Sequence, residues 1–458
     1  MAKYFKLFKK PLFLIRPMVR PFSSSLEDQP KSSLFISGKR AQDTFVAVVP
    51  HIDFDERFKD INSLSDNIKR RKLNLNAKEL SQSWLFYKDW NDKRNKLQNN
   101  LDETGRRMRE LLKKEESEAK EEMKRLERLR EILKKDIHEV KENIWGMEDN
   151  VIGSLLKLPN HLHKLAPENE ENVYFLNNES NASKGVDHLK VGEDLNILKY
   201  YDQFTYFLKD EAAMFELALS DFCIDKLVRK DFIQFSNPDF TRSSLAEGVG
   251  TVPNDTSELF LLENTEANND RLHMCGGASI FPFCGFHAKQ VVQKDSLPVR
   301  YVASGRQYKQ TTSSLPGLYS VHQSTSVQVF IATWSDKEMN EEFNSCLKVF
   351  EELFNEFGLK FRIVIQPPHT YKSWDSLRAS LQVFSHLNKS FIEVGHLSLI
   401  DDFISKRLRM CYNDKKGELF LKVISGTVIN AQSFLALCLE RSQQKLFVPE
   451  NLRHFFYL

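Results

Sequence analysis

The densest set of side chains able to do binding chemistry lies between residues 93 and 114. Lys93, Arg94, Lys96, Arg106, Arg107, Arg109, Lys113 and Lys114 outnumber the acids around them. Cations strung along one element can follow a phosphate backbone and release its counterions. The same composition also suits a solvated helix face laced with internal ion pairs, and charge alone leaves both readings open. Trp84, Tyr87 and Trp90 stand just ahead of the cluster. They are flat enough to stack on bases, although packing at the base of a helix pair suits at least two of them. The other reactive residue types point to nothing specific. Cys223, Cys275, Cys284, Cys346, Cys411 and Cys438 form no C-x-x-C pair, and no Cys/His group has zinc-ligand spacing. They read as reduced thiols in a core, which argues against a disulfide scaffold. No metal and no cofactor is expected.

The basic cluster needs an element to hold it in line. From residue 77 to 156 there is no Pro, and Gly occurs only at Gly105, Gly146 and Gly153. Ala119, Met123, Leu126, Leu133, Ile137, Val140, Ile144, Met147 and Val151 fall on alternating steps of three and four, interrupted only at Arg130. Leu80, Trp84, Tyr87, Leu97, Leu101, Met108 and Leu111 follow a looser version of the same stripe. An apolar stripe this narrow requires a partner helix. The polar run 113–117 between the two halves can turn, so the spacing predicts an antiparallel helical hairpin over about 77–157. At the usual helical rise it is an arm roughly 50 Å long. Leu158-Pro159-Asn160 ends it, because Pro forces the chain out of helical geometry.

The rest of the chain divides around this arm. The 458 residues are enough for two to four domains, and the net charge of +2 favours no particular partner. Residues 1–25 contain Lys3, Lys6, Lys9, Lys10, Arg16 and Arg20, no acid, interleaved Phe and Leu, and a closing Ser23-Ser24-Ser25. That reads as a mitochondrial presequence, too short and too charged to span a membrane. Residues 26–160 form an N-terminal domain that includes the hairpin, 161–185 read as a polar linker, and 186–458 as the main domain. In that domain β-rich runs (327–333, 361–365, 419–424) alternate irregularly with amphipathic helices (210–229, 337–357). The class is α+β, an antiparallel sheet flanked by helices.

The order of these features is similar to one family. Asp187-His188-Leu189-Lys190-Val191-Gly192-Glu193 resembles the opening of the seryl-tRNA synthetase catalytic domain, and Tyr206-Phe207-Leu208-Lys209-Asp210 resembles its next stretch. The helix followed by Phe232 to Pro238 looks like class II motif 1. Leu297-Pro298-Val299-Arg300-Tyr301-Val302-Ala303 is similar to the lead-in to motif 2, and Gly317-Leu318 with His322-Gln323 to its returning strand. Val448-Pro449-Glu450 and Leu452-Arg453 resemble the family's ending. The resemblance implies an N-terminal antiparallel coiled-coil hairpin joined to a class II synthetase-like domain. It further implies a dimer built on motif 1, for which Phe222, Leu227, Phe232, Phe235 and Pro238 are the candidate interface residues.

The resemblance also shows what has changed. The motif 2 position that places an Arg on the α-phosphate of ATP reads Lys309, and the acid two residues on reads Thr311. The motif 3 Arg position reads Ser433. The Thr-Ala-Glu that holds serine reads Gly277-Ala278-Ser279, and the stretch lining the amino-acid pocket ends in Leu399. Glu393 remains where the family binds magnesium, and it is a poor metal site alone. Lys cannot reproduce the planar fork with which Arg grips phosphate, and Ser carries no charge. The expected reading is therefore a catalytically silent protein whose old ATP pocket is narrowed or filled by apolar side chains, with no phosphate-binding arginine at its back. The pattern is similar to the seryl-tRNA synthetase-like insect mitochondrial proteins. That branch implies tRNA(Ser) binding in the mitochondrial matrix, pairing with itself or with the mitochondrial seryl-tRNA synthetase, and the matrix Lon protease as a partner. An active synthetase with divergent chemistry and a purely structural coiled-coil adaptor are the alternatives.

Overall fold

The computed structural model describes residues 32–38, 48–51, 54–112, 117–177, 185–252, 257–262, 271–310, 314–415, 417–442 and 444–456. The presequence, Lys113, Lys114 and Thr311 lie outside them. The expected arm is present as two long helices, Ala77–Leu111 of 35 residues and Ser117–Leu155 of 39. Asn76 starts the first by accepting from the backbone N–H groups of Lys78 and Glu79, satisfying donors that a helix start leaves unpaired. The stripe of three- and four-residue steps is the seam between the helices: Leu126, Leu133, Ile137, Val140 and Ile144 are buried.

The main domain is organised by one eight-stranded sheet. Its strands are β1 (Asn172–Leu176), β2 (Ile233–Gln234), β3 (Val299–Tyr308), β4 (Gln323–Thr333), β5 (Phe361–Ile365), β6 (Leu377–Ser385), β7 (Ser390–Asp401) and β8 (Lys422–Asn430). They are ordered β1-β5-β6-β7-β8-β4-β3-β2, antiparallel except for the parallel β2–β3 pair. Side chains alternate between faces. Val327, Val329 and Ile331 face a core covered by the helices Glu211–Val228, Asp336–Glu356 and Ala431–Glu440. Phe330 and Ala332 face a second core shared with Ile280–His287, Phe403–Leu408 and the base of the arm, where Ile152 and Leu155 are buried. Burial on both faces explains why the stretch Val329-Phe330-Ile331-Ala332 of β4 is continuously apolar rather than alternating.

Two expectations change here. The segment 161–185 is not only a linker, because Asn172–Leu176 adds an edge strand to the sheet. Its Val-Tyr-Phe-Leu run has the β-branched and aromatic character of strands. The run 419–424 is not one strand but the end of Gly417–Phe420 and the start of β8, with Leu421 between them.

A short N-terminal strap ties the arm to this domain. The N–H groups of Ser33 and Leu34 donate to the same oxygen of Glu247 at 2.7 and 2.9 Å, and Gly38 N–H donates to Glu148 on the returning arm helix at 3.0 Å. Leu34 is buried in the second core. A Cβ at residue 38 would lie 1.9 Å from the Trp145 ring nitrogen, so only Gly fits there. Two buried arginines complete the joint. Arg71 donates to the carbonyls of Lys372 and Asp375 and to Asn67. Arg407 donates to the carbonyl of Leu156 at 2.7 Å and that of Glu247 at 3.3 Å.

Candidate functional site

The polar end of the sheet's second face opens into a cleft of about 490 Å³. Strand alternation, shifted by one residue at a bulge in β7 between Glu393 and Gly395, decides which residues reach it. On β7, Glu393 and His396 line the cleft, and Ser398 lines a small adjoining pocket of about 70 Å³. Leu399 stands one residue out of phase with Ser398, so it points to the opposite face and is buried in the first core. It is therefore not a pocket residue, contrary to the sequence reading. On β8, Thr427 reaches both spaces and Ser425 the smaller one.

The other degenerate positions sit around these two spaces. Lys309, just beyond β3, is exposed in the cleft, and its N–H donates to the carbonyl of His322. Ser433 lines the cleft from the first turn of Ala431–Glu440, with its N–H held by the Asn430 cap at 3.0 Å. Ser279 lines the small pocket and donates to the carbonyl of Gly276 at 2.7 Å. Gly277 lines neither space: its N–H donates to Asp239 and its carbonyl accepts from Asn237. Nearby, the guanidinium of Arg306 is spent on Glu216 at 2.7 Å, a carboxylate that also accepts from Thr325 and Gln432.

The cleft is neither filled nor apolar, which overturns the expectation from sequence. It contains an arginine, Arg378, together with Lys372, and both are paired internally. Arg378 bonds one oxygen of Glu393 at 2.6 Å, and Ser380 bonds the other at 2.6 Å. Lys372 forms an ion pair with Glu258. Burial, together with the facing cations of Arg378, Lys309 and Lys372, holds the His396 imidazole well below its ordinary pKa. None of Glu258, Lys372 or Arg378 stood out as a site residue in the sequence, whereas His396 belongs to the stretch that the resemblance aligns with the amino-acid pocket. The one local signal was a charge at position 378 in the otherwise uncharged run of β6.

With this geometry in hand, the comparisons are specific. A model of the tRNA synthetase class II core domain (G, H, P, S and T) matches residues 263–442. The Serine--tRNA synthetase-like protein Slimp of Drosophila melanogaster is 27% identical over 416 residues, covering 89% of this chain and 88% of that protein. The crystal structure of seryl-tRNA synthetase from Pyrococcus horikoshii complexed with ATP superposes with a TM-score of 0.75 at 18% identity, over 89% of this chain and 98% of that one. The chain is similar to seryl-tRNA synthetases and a synthetase-like relative over most of its length, and it has their fold. The mitochondrial serine--tRNA ligase of Mus musculus is 27% identical to this synthetase-like chain over 334 residues, covering 68% of the chain and 63% of the ligase. Among the described residues no helix is long and apolar enough to cross a membrane.

The arm is the second candidate site of the synthetase-like chain. Lys93, Lys96, Arg106, Arg107 and Arg109 are exposed. Arg94 is half-buried on the seam side, between stripe positions Tyr87 and Leu97, so it is a weaker contact residue than the sequence suggested. At 100° per residue, Lys93, Lys96 and Arg107 share one flank while Arg106 and Arg109 share the other. Trp84 donates to Asp55 and Tyr87 donates to Glu148, each at 2.9 Å, so both belong to the arm's base. Trp90 packs edge-on against exposed Phe86, with Lys93 5.1 Å above its ring.

The proposed dimer residues need correction. Phe222, Leu227 and Phe232 are 1%, 0% and 5% exposed within this one chain, so they build the core. Phe235 is partly buried against Tyr301 and Phe286, and Pro238 is exposed. The outward stripe of Glu211–Val228 carries Met214, Leu217 and Val228, and the open edge strand β2 presents Ile233.

Proposed function

We propose that this chain is a mitochondrial matrix protein that binds RNA of the tRNA(Ser) type through its helical arm and does not activate serine. The observation that carries the reading is a contrast within one molecule. The arm keeps its length and an exposed basic flank beside the Phe86–Trp90 pair, where Arg107 pairs only with the solvent-exposed Glu103, whereas the cleft's Arg378 and Lys372 are taken up by carboxylates within the fold. An A-form backbone is recognised through shape and phosphate contacts. Binding is therefore expected to be strongly salt-dependent. Replacing Lys93, Lys96 and Arg107 together by Gln should weaken binding and lower the slope of log affinity against log salt by about one for each phosphate left without its cation. A gel-shift or fluorescence titration at several salt concentrations checks this. Unchanged affinity and slope would remove the arm from RNA recognition and favour a protein-binding adaptor.

The same reading includes a dimer, with itself or with the mitochondrial seryl-tRNA synthetase, through the outward stripe of Glu211–Val228 and the edge strand β2. Leu217 is 67% exposed and Ile233 58% exposed, an apolar outlay that a closed interface would bury. Leu217→Asp with Ile233→Asp is expected to convert the protein to monomer in sedimentation or light scattering, with unfolding temperature little changed. Persistence of the dimer would place the interface elsewhere. The resemblance adds the matrix Lon protease as a further partner.

A further inference from the structure

The cleft should not be a metal-assisted site, and the reason is the donor set itself. Glu393 is the carboxylate at which family resemblance implies magnesium. Its two oxygens are already bonded, one to the guanidinium of Arg378 and one to the hydroxyl of Ser380, each at 2.6 Å. Among the described residues no group of three or more His, Cys, Asp or Glu side chains converges to hold an ion. Magnesium needs close to six oxygen ligands and commonly takes one or two carboxylates together with substrate phosphates. A carboxylate paired with a fixed guanidinium is a poor partner for it, because a dication placed there would face that positive charge at close range.

We propose that Arg378 occupies the place of the divalent cation, so that the cleft binds small phosphate-bearing molecules without metal. The charge balance supports an anion. Among the described residues, Lys309, Lys372 and Arg378 line the cleft with Glu258 and Glu393 as the carboxylates, which leaves one cation in excess. Lys309 is the exposed one. Ser324, Asn430 and Ser433 line the same space as uncharged polar groups, while Gln307 and Thr427 line it but donate to Ala278 and Gln328. Arg378 has a second role there, because its pairing with Glu393 neutralises a carboxylate that would otherwise repel an oxyanion. A volume of about 490 Å³ holds a small phosphate ester. The inference is independent of the RNA reading, since none of the arm's basic residues lines the cleft.

Calorimetric titration of the full chain with inorganic phosphate, in magnesium and again in EDTA, tests it directly. The affinity is expected to be the same in both, and Lys309→Gln to weaken it about tenfold, the scale of one charge-assisted hydrogen bond. Lys309 is exposed, so that variant should leave folding intact. Manganese alone, followed by water-proton relaxation, is expected to show no binding that Glu393→Gln removes. Arg378→Glu, which sets two carboxylates side by side, is expected to create such binding. Phosphate binding that requires magnesium would overturn the proposal. So would manganese binding to the unmodified protein that is lost in Glu393→Gln, and so would an absence of phosphate binding at millimolar concentrations.

Discussion

Serine-dependent exchange of pyrophosphate into ATP is expected to stay at background when the purified protein is given serine, ATP and magnesium. Activation builds charge on a triphosphate, and the required stabilisation comes from donors fixed in advance. Removing one such donor typically costs on the order of 10²–10³ in rate, and several are missing here at once. Lys309 offers a point charge in place of a planar fork. Ser433, which lines the same cleft, offers none. The adjoining pocket is about 70 Å³, and Ser279, Ser398, Ser425, Thr427 and two glutamines line it. The one carboxylate among the described residues that line it, Glu258, is committed to Lys372. Ser433→Arg alone is therefore expected to restore no exchange. Robust exchange by the unmodified protein would sink the reading of a silent enzyme. Recovery in Ser433→Arg would show that the remaining groups suffice.

The largest stability effect is expected at Arg407. Its guanidinium is buried and lies 4.0 Å over the Phe403 ring. It joins the end of the arm, at the Leu156 carbonyl, to the helix Ser243–Val249 through Glu247. Burial lowers its pKa to about 9, against the opposing pull of Glu247, so it stays charged at neutral pH. Arg407→Ala leaves the carbonyls of Leu156 and Glu247 without this donor and removes a positive charge whose field reaches the Glu247 carboxylate. Leaving a buried acceptor without its donor costs about 1–3 kcal/mol, and more where the donor was charged. A clear fall in the denaturation midpoint is expected, with faster hydrogen exchange in residues 148–158. Arg407→Lys should rescue little, because an ammonium cannot reach both carbonyls in the same fork geometry. A loss below about 0.5 kcal/mol, the scale of an ordinary surface change, would show that the joint is held elsewhere.

What the sequence revealed and what it hid follow one physical line. The arm was legible because its signal is local: steps of three and four along one helix imply a facing partner wherever the rest of the chain lies. The helices Glu211–Val228 and Asp336–Glu356 and the strand Phe361–Ile365 were legible for the same reason. The interface residues were misread because Glu211–Val228 is apolar on more than one side. Leu217 is as hydrophobic as Phe222, and only the placement of the sheet decides which of them is covered. Leu399 was misread because a one-residue phase in a strand selects the face, and phase is fixed by pairing with distant strands. The cleft's electrostatics were hidden for a stronger reason. Arg378 and Glu393 are 15 residues apart and Lys372 and Glu258 lie on separate segments, so no spacing rule joins them.

The N-terminal strap has a consequence for the order of assembly. Ser33 and Leu34 bond to a carboxylate more than 200 positions further along, and Gly38 to one 110 positions on. A chain delivered N-terminus first, from a ribosome or through an import channel, presents the strap before either acceptor exists. Contacts of such long sequence separation form late. The first of the described residues to emerge are thus among the last to find their place. Until Glu247 arrives, Leu34 and the unsatisfied backbone around it are open to chaperones and proteases, and the arm has no fixed direction.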